Sequence, residues 1–114
     1  MKEGEVTYDE NLATRMRAIL EGTSGLAEMK MFGGIGFMIQ GNMACGVIQE
    51  DLIVRVGSEG YEEALNEPHV RVFDMTGRPM TGWITVSPEG YGDQVDLQAW
   101  VLRGVAFAKS LPAK

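Results

Sequence analysis

Apolar positions fall first at helical spacing. Tyr8, Leu12, Met16, Ile19 and Leu20 line one face, Arg15, Arg17 and Glu21 lie off it, and Gly22 stops the run. Thr7 with Glu10 three residues on has the form of a capping box, so a helix is expected from about Tyr8 to Glu21. The period then drops to two. Met29 and Met31 alternate with Lys30 and Phe32, and glycines 33, 34 and 36 interrupt. Ile35, Phe37 and Ile39 share a face, Gly41-Asn42 reads as a hairpin turn, and Met43, Cys45 and Val47 return. After a turn at Glu50-Asp51, Leu52, Val54 and Val56 make a third strand, with Ile53 and Arg55 opposite.

Beyond Gly57, Ser58 is placed to cap a short helix carrying Tyr61, Ala64 and Leu65 that ends before Pro68. Val70, Val72 and an offset Phe73 suggest a strand, residues 76–82 a loop, and Trp83, Ile84 and Val86 the returning strand. Asp93 and Asp96 open a final helix with a broad apolar stripe (Leu97, Trp100, Val101, Val105, Ala108, Leu111) that Pro112 ends. The order is α-βββ-α-ββ-α. Hairpin-length connections cannot join parallel strands, so the expected class is α+β, in two layers with helices on an antiparallel sheet. The 114 residues make one domain, 1–114, with 1–7 as a flexible N-terminal arm.

Composition and charge narrow the function. Ten Lys and Arg against sixteen Asp and Glu leave −6, which speaks against a polyanion as direct partner. A DNA-binding alternative would need Arg15, Arg17, Lys30 and Arg103 gathered into a local basic stripe. The longest apolar run, residues 31–39, is far short of the roughly 20 residues a bilayer span needs, and the acidic start is no secretory signal. One cysteine forbids an internal disulfide or a multi-thiolate metal site and fits a reducing cytoplasm.

Catalytic chemistry finds little to build on. Cys45 sits mid-strand among apolar neighbours, the usual setting of an inert thiol, and nothing in the spacing brings His69, the one histidine, near it. Glu50-Asp51 and Glu62-Glu63 read as solvated pairs, and Gly33-Gly34-Ile35-Gly36 lacks the spacing of a nucleotide loop. No catalytic residue, metal or cofactor is expected. Of the eight methionines, Met29, Met31, Met38 and Met43 are expected mainly to fill the core, while Met75 and Met80 divide evenly between core and binding surface. Arg78-Pro79-Met80 ahead of Trp83 is the most function-like patch, because Arg and Trp are favoured interface anchors. The bland alternative pairs Arg78 with Asp74 and puts Trp83 in the core.

Several segments in register resemble the TfoX N-terminal domain family. They are Lys30-Met31-Phe32-Gly33-Gly34 with Phe37-Met38, Gly41-Asn42-Met43 with Cys45-Gly46-Val47, and Leu52-Ile53-Val54-Arg55-Val56. Thr76-Gly77-Arg78-Pro79-Met80 with Gly82-Trp83 and the closing helix, Leu97 through Trp100 to Pro112, extend the resemblance over roughly Tyr8 to Pro112. It implies a secretion-chaperone-like two-layer fold. It also implies kinship with TfoX or Sxy, regulators of natural competence that act with the cyclic-AMP receptor protein and carry a second, C-terminal domain, which is expected to be absent here. No catalytic residues carry over.

The leading expectation is a non-catalytic, cytoplasmic protein-interaction module, regulator-like, whose partner is a transcription factor or another protein, or a second copy in a homodimer. Its partner-binding candidates are Arg78, Pro79, Met80, Trp83, Lys30, Phe32 and Arg55. The alternative is a small-ligand binder or enzyme with a pocket near Cys45 and Arg55.

Overall fold

In the computed structural model, which describes residues 8–31, 33–74 and 77–114, helix α1 (Glu10–Leu20) starts where an Asp9 carboxylate oxygen accepts the Leu12 amide at 3.1 Å. That bond satisfies an amide with no partner inside the helix. Thr7 lies outside the described residues, so the cap seen is Asp9, and the helix begins two residues later than the periodicity suggests. Leu12, Ala13, Met16 and Leu20 are its buried face.

Six strands follow: β1 (Leu26–Met31), β2 (Gly34–Ile39), β3 (Asn42–Ile48), β4 (Asp51–Arg55), β5 (Val70–Val72) and β6 (Trp83–Val86). They form one antiparallel sheet in the order β1-β2-β3-β4-β6-β5. The expected α+β class and element order hold. The Met29–Met31 alternation is itself a strand, so the hairpin-connected run before the short helix α2 (Tyr61–Leu65) contains four strands. Helix α3 (Gln94–Lys109) closes the fold.

Two turns sit one residue earlier than expected. Gln40 and Gly41 carry the positive φ values, 52° and 86°, that a two-residue hairpin requires. Asn42 instead pairs with Ile39 as a strand residue, because its buried amide donates to the Pro112 carbonyl at 2.9 Å. Likewise Gln49, at φ 54°, turns the chain, and Asp51 starts β4. Helix α2 is preceded by Gly60 with no side-chain cap, so Ser58 does not take the capping role.

The register sorts side chains onto two faces. Phe37, Cys45, Val54 and Ile84 form one cross-strand row, and Ile35, Val47, Leu52 and Val86 the next. Both rows are buried with Leu12 and Met16 of α1 and Leu97, Val101 and Val105 of α3 in one core, at about 1.5–3 kcal/mol of stabilisation per fully buried large side chain. Ala44 is the extra residue of a bulge, since Cys45 faces Phe37 while Met43 faces Met38. There α3 packs against the sheet backbone to backbone: a Cβ on Gly104 would lie 2.3 Å from the Ala44 carbonyl oxygen. Ala64 of α2 joins the same core. All three helices therefore share one side of the sheet, and among the described residues none covers the other.

Candidate functional site

The uncovered face is built from the alternate residues of the same strands. Its central row crosses all six: Met29, Gly36, Gly46, Ile53, Thr85 and Arg71 stand opposite one another in turn. The two central glycines leave a floor without side chains, over which the ends of Met31 and Met43 lie. A Cβ on Gly36 would be 3.2 Å from the Met31 Cε and 3.3 Å from the Met43 Cε, and one on Gly46 would be 3.0 Å from the latter.

Opposite the methionines, the chain leaving β5 turns over the sheet. The Met80 amide donates to the Phe73 carbonyl at 3.0 Å and the Trp83 amide to the Met80 carbonyl at 3.1 Å, which holds this loop against the face. Phe73 and Trp83 meet with ring centroids 6.2 Å apart at 37°. Between these walls lies an almost wholly apolar pocket of about 410 Å³, lined also by Ile48, Ile53 and Met80. A smaller hollow of about 170 Å³ adjoins it, sharing Ile48, Ile53 and Phe73 and adding Asp51, Arg71, Asp74 and Thr85.

The structure brings together only some of the residues that the sequence proposes for binding. Arg78, Pro79 and Met80 are exposed on the loop. Arg78 makes no ion pair with Asp74 or with any other described residue. Trp83 is half-buried on the uncovered face and does not belong to the core between sheet and helices. Arg55, its register partner, stacks its guanidinium over Trp83 at 5.0 Å and over Phe107 at 5.3 Å, with no ion-pair partner among the described residues. Lys30 is exposed on the helix-side register of the edge strand β1, away from this group. Phe32, Met75 and Thr76 lie outside the described residues, as does the arm 1–7.

Two expectations are corrected. The sheet methionines do not fill the core: Met29 is 51% exposed, Met31, Met38 and Met43 are half-buried, and the register puts all four on the uncovered face. The pocket is also not beside Cys45. That side chain is fully buried on the helix side, where desolvation pushes its thiol up to about 12, so at neutral pH it stays protonated and closed to substrate. Arg55 touches the pocket only through Trp83. His69 is exposed just before β5 whereas Cys45 is fully buried, and among the described residues no cluster of three His, Cys or carboxylates could hold a metal.

Three of the four residues that a basic stripe would need are engaged by other groups of the fold. Arg15 donates to the Tyr91 and Gly92 carbonyls and to Gln94, Arg17 pairs with Glu28 at 2.8 Å, and Arg103 pairs with Glu67 at 2.7 Å while stacking on Trp100. Among the described residues no helix is long and apolar enough to cross a membrane.

Sequence reasoning missed Ile48, Ile53 and Phe73 as site residues. The available signal was glycine inside strands at 36 and 46, which marks places where something must approach the backbone closely. No curated protein and no solved structure matches the chain. The TfoX N-terminal domain matches residues 18–108, spanning all six strands, the loop that carries Arg78 and nearly all of α3. By that match the chain belongs to the TfoX N-terminal domain family.

Proposed function

We propose that the protein is a non-catalytic interaction module of the regulator-like kind that its family membership suggests, and that it grips a protein partner at the Arg78–Trp83 rim of the uncovered face. The observation that carries this reading is that Arg55 and Arg78, neither of them ion-paired among the described residues, share this region with exposed Met80 and half-buried Trp83. A guanidinium held between aromatic rings keeps hydrogen-bond donors free for a carboxylate while its apolar faces stay covered. The partner suited to this rim is an acidic segment carrying a bulky apolar side chain, a transcription factor's surface segment among the options. Self-association into a homodimer is the second occupant we consider. The exposed Met29 on the edge strand β1 favours it, because unpaired edges readily find a strand. We assign the protein to the cytoplasm, consistent with a lone thiol held reduced.

Affinity capture from cells tests the rim. Arg78→Ala and Trp83→Ala should each lose a protein that wild type retains, with far-ultraviolet circular dichroism unchanged. Identical recovery by folded variants overturns the assignment. Sedimentation of the wild type at micromolar concentration reports on the homodimer.

A further inference from the structure

The geometry points to a binding site for a small, uncharged amphipathic molecule in the pocket between the methionines and the Phe73–Trp83 pair. An aromatic or short aliphatic body would fill the pocket, and one hydroxyl or carbonyl would reach Thr85. This goes beyond the rim contact, whose cations lie outside the pocket lining, so failure of either leaves the other standing.

Four observations carry it. The space is concave and about 410 Å³, within the roughly 300–1,000 Å³ typical of ligand sites. Gly46 lines it, and the room over Gly36 and Gly46 is taken by the ends of Met31 and Met43, so a side chain at either glycine would push those methionines into the space. Its movable wall is methionine, whose unbranched thioether adapts to varied shapes at low strain.

The fourth observation sets the polarity. Thr85 is 5% exposed and its hydroxyl bonds to no described residue, yet no buried side-chain polar atom among the described residues lacks a partner, so this hydroxyl is the part of Thr85 that stays open to solvent. It stands beside Ile53 in the central row and lines the polar hollow that adjoins the pocket. Arg71 in that hollow is already taken, by Asp51 at 2.6 Å and by the Ser87 hydroxyl at 2.6 Å, and Asp74 adds a further negative charge. A neutral polar group therefore fits better than a carboxylate or phosphate, which would face Asp51 and Asp74.

The test uses 2-naphthol as probe and naphthalene as its counterpart lacking the hydroxyl, titrated into the isotopically labelled full chain and followed by amide chemical shifts. The expected result is saturable binding of 2-naphthol at about millimolar or tighter, with shifts centred on Gly46, Ile53 and Thr85 and naphthalene about fivefold weaker. Thr85→Val should erase that difference by weakening 2-naphthol alone. Ile48→Trp, which puts an indole into the pocket from its half-buried edge, should abolish both. Absence of saturable shifts in the wild type, shifts centred elsewhere, or unchanged binding by folded Ile48→Trp overturns the site. A hydroxyl preference that survives Thr85→Val overturns the polar seat.

Discussion

Cys45 shows how one side chain's environment decides its chemistry. Burial without a cation or a base raises the thiol from 9.0 to about 12, and Tyr91 rises from 10.0 to about 12 through desolvation first and then the nearby Asp9, Asp51 and Glu50 charges. Both groups hold their protons longer when folded than when unfolded. Their contribution is therefore fully present below about pH 9 and is lost as pH climbs through the window between about 9 and 12. Denaturant midpoints measured across that window should fall with pH, and Cys45→Ala should make the fall shallower while shifting the neutral-pH value by a constant amount. A disulfide reagent such as Ellman's should leave the native thiol untouched and label it fully in denaturant. Rapid labelling of the folded protein would contradict the burial.

Among the elements, α3 and β3 are joined by backbone with no side chain between them. Ala substituted at Gly104 would press a methyl against the Ala44 carbonyl at 2.3 Å. The helix propensity gained, about 1 kcal/mol, is outweighed by the displacement of helix or bulge. Gly104→Ala should therefore destabilise by about 1–3 kcal/mol in urea unfolding; a neutral or stabilising result would mean the bulge yields freely. The elements themselves were legible in the chain because each carries its own period: Leu12, Met16 and Leu20 for a helix, Ile35, Phe37 and Ile39 for a strand. Their ends were less so. Gln40 at positive φ and Asn42 inside β3 follow from a bond to Pro112, seventy residues away, which no local pattern encodes. The site was legible only at its rim. Arg78, Met80 and Trp83 announce themselves by type, whereas Ile48, Ile53 and Phe73 look like any core residue until the register shows which face lacks helices.

At the scale of the whole molecule, the charge is −6 and the arginines on the helix side are each engaged: Arg15 with carbonyls and an amide, Arg17 and Arg103 with glutamates. Exposed pairs of this kind contribute little stability, but they tie up three of the helix-side cations on which a phosphate backbone would draw. Duplex DNA at low salt should give no binding in a gel-shift or anisotropy titration at micromolar protein; binding that weakens steeply as salt rises would restore a nucleic-acid role.

The row from Met29 through Gly36, Gly46, Ile53 and Thr85 to Arg71 is graded, oily at the β1 border and charged at the β5 border. A visitor laid along it has one comfortable direction, greasy end toward the thioethers and wet end toward the guanidinium. Reversal would strand its polar group on hydrocarbon and crowd its hydrocarbon against an ion pair, so this surface tells head from tail.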